Sequence, residues 1–214
     1  MFTNRRDAAT KLSTKLMDLY NKDVLILGIS VGGMVVANEL SKQLNVSSDM
    51  LVVRKLRVPE HRTEPMGAIA SGGDTVYNRG IIRHFNVPQQ IVDSVEREER
   101  QQLMVEETHF RGEGPAIDVA GKVVLLVDDG MSTGVTMRAA IDAVKAQSAR
   151  EIIVASPVSS AQVCMMFHGI ADRTVCFAIP QPFKSVDDWY ENFEKPTDEE
   201  VRALIREGRA ELVI

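Results

Sequence analysis

VVLLVDDGMSTGVT, from Val123 to Thr136, is the stretch of sequence that decides the fold. Its first five residues are all apolar, and they lead directly into two adjacent carboxylates, Asp128 and Asp129. A continuous Val/Leu run of this length is typical of a strand that is buried on both faces of a parallel sheet. Since open α/β sheets bind ligands at the carboxyl ends of their strands, the pattern predicts that both carboxylates lie at a binding site.

A short turn follows the two carboxylates and leads into a helical pattern. Glycines let the backbone approach a ligand closely, and the amides of the turn and of the helix start favour an anion. Carboxylates repel a phosphate, so their expected partners are sugar hydroxyls or a divalent cation. These features predict a site for a phosphorylated sugar, with a solvated turn and a helix cap as the simpler alternative. The residues predicted to form the anion cradle are Gly130, Met131, Ser132, Thr133, Gly134, Val135 and Thr136.

The composition is that of an ordinary globular protein, with 44% hydrophobic and 26% charged residues among 214. A formal net charge of −5 gives no reason to expect binding to nucleic acid or to a membrane surface. No apolar run is long enough for a transmembrane helix, and the N-terminal stretch does not resemble a signal peptide. We expect a cytoplasmic protein in which Cys164 and Cys176 are buried, reduced thiols.

Strand and helix patterns alternate along most of the chain. Apolar runs at 24–29, 151–156 and 173–179 predict further strands, and helical patterns separate them. This β-α-β-α-β order predicts an α/β fold with a Rossmann-like parallel sheet flanked by helices.

Two further places carry candidate phosphate contacts. Gly32 and Gly33 follow the first strand and precede a helix, a layout that again suits an anion. Arg54 and Lys55 stand at the end of a predicted strand over 50–56, where two cations would neutralise a pyrophosphate. The alternatives are a tight packing turn for the glycines and a solvated pair for the cations.

The remaining segments are predicted to cover the site. We expect a single domain over 1–214, in which the Pro- and Gly-rich residues 58–87 form a flexible lid or insert and residues 180–214 form a hood-like cap. Phe183 and Trp189 are candidates for stacking on a planar base, with a purely structural cap as the alternative.

The first helical pattern covers residues 3–20 and has an apolar face. Arg5 and Arg6, near its start, are expected to be solvated.

The string VDDGMSTGVT resembles the 5-phosphoribosyl-1-pyrophosphate (PRPP) motif of type I phosphoribosyltransferases. FTNRRDAATKL, MGAIA, HFRGE and PQPFKSVDDWYENF also resemble one group of predicted bacterial phosphoribosyltransferases, so the similarity covers nearly the whole chain. The resemblance implies a small hood over the parallel sheet and a transferase of nucleotide metabolism. Such an enzyme moves phosphoribose from PRPP to a nitrogenous, nucleobase-like acceptor and releases pyrophosphate. The resemblance also implies Mg²⁺, bridging substrate oxygens, and a homodimer.

By the same resemblance, Asp128 and Asp129 would be the catalytic carboxylates and would bind the ribose 2′ and 3′ hydroxyls. The turn that ends at Thr136 would cradle the 5′-phosphate. Gly32 and Gly33 would face the pyrophosphate, helped by one of the two cations of the 50–56 strand.

Two positions depart from the family pattern. Val31 precedes the glycine pair where relatives often carry Arg, which removes a pyrophosphate contact. Ser132 stands where 6-oxopurine enzymes carry Asp, which argues against a usual hypoxanthine or guanine salvage enzyme. Two alternatives follow. One is a non-catalytic module that senses PRPP or a nucleotide, which Val31 favours. The other is a phosphosugar hydrolase that uses Asp128 or Asp129 with a metal.

Overall fold

A computed structural model describes residues 1–112 and 117–210, apart from the side chains of residues 62, 63 and 210. The strands are β1 (Val24–Gly28), β2 (Ser47–Met50), β3 (Val53–Val58), β4 (His61–Ala70), β5 (Val76–Tyr77), β6 (Val123–Val127), β7 (Glu151–Val158) and β8 (Arg173–Ala178). The helices are α1 (Arg5–Ser13), α2 (Val31–Leu44), α3 (Arg79–His84), α4 (Gln89–Arg111), α5 (Val135–Ala146), α6 (Ala161–Met166) and α7 (Asp198–Ala210).

The main sheet has five strands in the order β2-β1-β6-β7-β8, and all of its neighbours are parallel. Two hydrophobic layers cover it. Leu125 and Val127 of β6 belong to the layer that includes α1, α2 and α7, whereas Val124 and Leu126 belong to the layer that includes α5. Because alternate residues of a strand point to opposite faces, a strand between two such layers is apolar throughout. The predicted α/β fold with a parallel sheet flanked by helices is confirmed.

A smaller antiparallel sheet follows, in the order β3-β4-β5. The prediction of one strand over 50–56 is therefore wrong, because pairing with β1 ends just after Met50 and the chain then pairs with β4. The last bond to the main sheet runs from Leu51 N–H to the carbonyl of Gly28 (2.9 Å). As a result, Arg54 and Lys55 lie within β3 and not at the carboxyl end of a parallel strand.

The segment predicted as a lid, residues 58–87, contains β4, β5 and α3. α3 has no buried residue. Movement of this segment over a ligand stays a prediction.

Backbone hydrogen bonds tie the first residues of the chain to a segment near residue 190. Phe2 N–H donates to Trp189 O (2.8 Å), Glu191 N–H donates to Phe2 O (2.9 Å), and Asn192 N–H donates to Thr3 O (3.0 Å). This pairing fixes the start of α1 beside the C-terminal segment, which has consequences for the site.

The two cysteines form a disulfide that links α6 to β8, so the expectation of reduced thiols is wrong. Adjacent packing of α6 and β8 brings together two residues that are 12 apart in sequence. None of the described helices combines the length and the apolar character that a membrane span requires.

Candidate active site

A cavity of about 580 Å³ opens where β1 and β6 end, beside β3. It collects residues that the sequence predicted from separate stretches of the chain. Among its lining residues are Gly32, Arg54, Lys55, Asp128, Asp129 and Thr136.

Asp128 is held by the residue that caps α2. Ser30 Oγ donates a hydrogen bond to Asp128 Oδ1 (2.6 Å) and accepts one from Gly33 N–H (2.8 Å). Burial raises the pKa of Asp128 to about 7, and the charge of Asp129 adds to the rise, while the bond from Ser30 opposes it. The two adjacent carboxyl groups therefore titrate as a pair, one of which holds a proton until near neutral pH.

Asp129 forms a buried ion pair with Arg5. Arg5 Nε lies 2.7 Å from Asp129 Oδ2, and the two side chains are only 10% and 14% exposed. Burial raises the pKa of Asp129, and the charge and hydrogen bond of Arg5 oppose that rise. Tyr190 Oη also donates to the backbone carbonyl of Asp129 (2.6 Å). The expectation that Arg5 is solvated is wrong, since the pairing of the first residues with the C-terminal segment places it in the cavity wall.

The glycine pair lies inside α2 and not in a turn before it, because α2 begins at Val31 with Ser30 as its N-cap. A Cβ atom on Gly32 would overlap Asp129 Oδ2 and would lie 2.8 Å from Arg5 Nε. Gly32 is therefore glycine because the Asp129–Arg5 pair rests directly on its backbone.

Gly33 meets the other carboxylate. A Cβ atom there would lie 2.9 Å from Val127 O and 3.0 Å from Asp128 Oδ1. Gly33 does not line the cavity. Close packing therefore explains this glycine, in agreement with the simpler alternative given for the pair.

The predicted anion cradle leads into α5, which no side chain caps. By contrast, side chains cap α1, α2 and α6. Gly134, the N-cap residue of α5, has φ of 74°, a left-handed conformation that favours glycine. The first amides of a helix have no partner within the helix, so this uncapped end is suited to an anion.

The members of the cradle differ in position. Gly130 and Thr136 line the cavity, and Ser132 and Thr133 are exposed beside it. Met131 is committed elsewhere, because its N–H donates to the carbonyl of Val158 (3.0 Å) and its side chain is buried. Met131 therefore anchors the loop to the end of β7.

Arg54 lies at the cavity but is already paired. Its Nε lies 2.5 Å from Glu99 Oε2 and its Nη1 lies 2.8 Å from Glu106 Oε2, both on α4. Two carboxylates thus offset its single charge. These partners were not predictable from the sequence pattern, because α4 is highly charged throughout.

Lys55 is the more suitable of the two predicted cations. Burial and the charge of Arg57 lower its pKa, while the charge of Asp128 raises it. Its ammonium therefore acts on the same part of the cavity as the acidic pair.

The predicted stacking residues, Phe183 and Trp189, do not line the cavity; they pack against a hydrophobic cluster that contains Phe2 and Tyr190. Phe193 lines the cavity instead, and the guanidinium of Arg5 covers its ring at 3.9 Å from the centroid. These contacts favour the structural alternative for Phe183 and Trp189, and stacking on a base stays a prediction.

The pKa of Asp128 leads to a prediction for stability. Its folded value of about 7 exceeds the ordinary value of 3.8, so folding favours the protonated form, and this contribution is lost as pH rises from about 4 through about 7. We expect the melting temperature of the ligand-free protein to fall more between pH 5 and pH 8 than that of Asp128→Asn. Thermal unfolding at both values measures this. Asp187→Asn, at an exposed carboxylate, should keep the wild-type fall, and equal falls in wild type and Asp128→Asn would contradict the prediction.

Comparisons with known proteins point to one family. The sequence profile of the Phosphoribosyl transferase domain matches residues 67–166. Relatives from Mycobacterium tuberculosis strains H37Rv and CDC 1551, both named "Putative phosphoribosyl transferase", are 36% identical over 205 residues, or 96% of this chain. The chain spans about half the length of these curated relatives, 46%.

A solved structure is also similar over the full length. The crystal structure of TT1426 from Thermus thermophilus superposes with a TM-score of 0.81 at 31% identity and covers 95% of this chain and 97% of that one. The domain match includes both carboxylates and the uncapped start of α5. The chain therefore belongs to the phosphoribosyl transferase family.

Proposed function

We propose that this chain binds PRPP together with Mg²⁺ and transfers phosphoribose to a nitrogenous, nucleobase-like acceptor, with pyrophosphate as the leaving group. The observation that carries the proposal is the junction after β6, where a carboxylate pair lies directly before a helix that no side chain caps. A sugar diol suits the carboxylates, and a phosphate suits the helix start. Membership of the family supports the same substrate.

The 5′-phosphate would bind at the start of α5. The amides of residues 132–136 and the hydroxyl of Thr136 would donate to it, and the helix dipole would favour its charge. Met131 would not donate its amide, since Val158 O already accepts it; its role is to hold the loop.

The ribose would lie against Asp128 and Asp129, whose oxygens accept hydrogen bonds from the 2′ and 3′ hydroxyls. Each carboxyl is already oriented by the protein, Asp128 by Ser30 and Asp129 by Arg5. Orientation before binding reduces what must be ordered when the substrate arrives.

The pyrophosphate would lie toward the first turn of α2 and Lys55. The described residues contain no group of three or more His, Cys, Asp or Glu that could hold a metal ion. Mg²⁺ held by substrate phosphates next to one or two carboxylates needs no such group, so the acidic pair fits an ion that arrives with PRPP. When bound, Mg²⁺ would neutralise charge on the leaving pyrophosphate.

In the transfer, the bond between the anomeric carbon and the pyrophosphate oxygen breaks, and its electron pair leaves with pyrophosphate. A lone pair of the acceptor nitrogen forms the new bond to carbon, through an oxocarbenium-like state, and the proton that the acceptor gives up passes to solvent. The chain contributes by positioning the sugar and by stabilising charge on the leaving group.

Isothermal titration with PRPP, with and without Mg²⁺, tests the proposal. We expect Mg²⁺-dependent binding, followed by pyrophosphate release when the right base is added from a panel of nucleobases. Absence of PRPP binding would contradict the proposal. Binding of PRPP without release of pyrophosphate in the presence of any of the bases would favour a non-catalytic sensor.

A matched pair of glycine variants tests the phosphate loop. Gly134 and Gly121 both have left-handed φ, 74° and 71°, but a Cβ atom on Gly134 would lie 3.0 Å from Phe167 Cζ, whereas one on Gly121 meets nothing within 4 Å. Each change to Ala should cost about 1–2 kcal/mol of stability from its backbone conformation. Only Gly134→Ala should weaken ribose 5-phosphate binding, by about tenfold or more, as the loss of one charged hydrogen bond would. Titration of both folded variants measures this, and equal affinities would contradict the placement of the phosphate.

A further inference from the structure

Arg5 occupies a position that local physics disfavours. It is the first residue of α1, and it is only 9% exposed. A positive charge is unfavourable at a helix N-terminus, and burying a charge costs free energy even when it is paired. A cation kept at such a place is a candidate for a functional role.

The guanidinium lies over the first turn of α2. Its Nε is 2.8 Å from where a Cβ atom on Gly32 would be, and the ring of Phe193 covers one of its faces. The first turn of a helix carries N–H groups without helical partners. Gly33 N–H already donates to Ser30 Oγ, and Asp129 Oδ2 is the atom nearest to a Cβ position on Gly32. An anion at this turn would therefore meet the amides of residues 31 and 32 together with Arg5, whose charge offsets that of Asp129.

Arg5 also has donors to spare. A guanidinium carries five N–H donors, and the described residues accept from two of its nitrogens: Asp129 Oδ2 from Nε and Glu194 O from Nη1, each at 2.7 Å. The side chain lines this cavity and a second one, and we infer that its remaining donors serve a ligand in the first without breaking the pair with Asp129.

Four other cations line the cavity: Arg54, Lys55, Arg57 and Lys195. Arg57 and Lys195 are exposed, unlike Arg5. Arg54 is paired with Glu99 and Glu106, and Val31, which precedes Gly32, brings no charge. Lys55 lies on β3, beside Asp128 and not on Gly32. A pyrophosphate carries several negative charges and needs more than one cation beside it.

We propose that Arg5 binds the pyrophosphate group of PRPP at the first turn of α2. This inference rests on the proposed function, which places the 5′-phosphate at α5 and the ribose at Asp128 and Asp129, so that the pyrophosphate on the far side of the ribose reaches α2. The same side chain keeps its bond to Asp129, and one residue thereby serves two parts of the substrate.

The test compares two ligands that differ only in the pyrophosphate. PRPP and ribose 5-phosphate are titrated calorimetrically, with Mg²⁺, into wild type, Arg5→Gln, Arg5→Lys and Arg6→Gln. Arg6 is the exposed neighbour on the same helix and serves as the control. Loss of the Arg5 bond to Asp129 should weaken both ligands alike, through the ribose. We expect Arg5→Gln to weaken PRPP binding by a further factor of about ten to a hundred relative to ribose 5-phosphate binding, the range of one or two charge-assisted hydrogen bonds. Arg5→Lys should lie between wild type and Arg5→Gln for PRPP, and Arg6→Gln should match wild type for both ligands.

Equal losses for the two ligands would overturn the inference, because Arg5 would then act only by supporting Asp129. Unchanged PRPP affinity in Arg5→Gln would overturn it as well. If circular dichroism shows that Arg5→Gln is unfolded, Arg5→Lys replaces it in the test. The ratio of its affinities for PRPP and ribose 5-phosphate should then be lower than that of wild type, and an unchanged ratio would overturn the inference. If the wild-type protein binds ribose 5-phosphate but not PRPP, the proposed function is overturned, and this inference falls with it.

Discussion

A variant that carries both Asp128→Asn and Asp129→Asn is expected to lose PRPP binding by a hundredfold or more while it keeps its fold. Each carboxylate would accept a hydrogen bond from a ribose hydroxyl, and a hydrogen bond to a charged group contributes about 1.5–3 kcal/mol, so the loss of two corresponds to about a hundredfold or more. The fold should survive because Asn has nearly the same shape and burial already disfavours the charged form of both residues. The melting temperature should nevertheless fall, because buried Arg5 loses its charged partner.

The chain supplies a matched control for this experiment. Asp187 and Asp188 form a second adjacent pair of aspartates, and both are exposed. Changing both to Asn makes the same two substitutions outside the cavity and should leave PRPP affinity unchanged. Calorimetric titration gives the affinities and circular dichroism melting reports the fold. Wild-type affinity in the Asp128/Asp129 variant would refute the assignment of the ribose site.

Gly32→Ala should lower the free energy of unfolding, although it adds only one methyl group. Alanine normally stabilises a helix relative to glycine by about 1 kcal/mol. Here the new Cβ atom would overlap Asp129 Oδ2 and crowd Arg5 Nε, which separates a buried ion pair, at a cost of about 3–5 kcal/mol. We therefore expect a net loss of unfolding free energy and the loss of PRPP binding, measured by urea unfolding and by titration.

Gly80→Ala is the corresponding control. Gly80 also lies in the first turn of a helix, α3, but it is exposed, and a Cβ atom there would meet only Asn78 Oδ1, at 3.2 Å. This variant should unfold at the wild-type urea concentration or slightly above it. A Gly32→Ala protein as stable as Gly80→Ala would show that the Asp129–Arg5 pair does not rest on Gly32.

The central strand and its acidic end were predictable from sequence because a strand buried on both faces leaves a continuous apolar run. The five buried residues of β6 and the start of α5 at Val135 agree with that pattern. The start of α2 was harder to place. Glycine is rare inside helices, and only the three-dimensional contact with Asp129 explains why Gly32 belongs there.

Arg5 was missed although the sequence contained a clue. It lies three, four and seven residues before Ala8, Ala9 and Leu12, all of which are buried on one face of α1. Helical periodicity alone would have placed Arg5 on that face. A charged residue at a buried position is the informative exception to apolar patterning, and its partner was not predictable because Asp129 is 124 residues away.

The boundary between β2 and β3 could not be predicted from the local sequence, for a different reason. Residues 50–56 are uniformly suited to a strand, and nothing in them shows where one sheet ends and another begins. That boundary depends on β1, which ends at Gly28 and leaves the following residues without a neighbour in the main sheet.

The bond from Arg5 to the carbonyl of Glu194 joins residues 189 positions apart, and this has a consequence for protein synthesis. Ribosomes add about 5–20 residues per second, and domains fold as their residues emerge. The parallel sheet has all of its strands once residue 178 is available, whereas the wall that holds Arg5 waits for residue 194. Nascent chains that stop short of residue 194 should therefore lack this wall, and ligand binding is expected to begin only in longer chains.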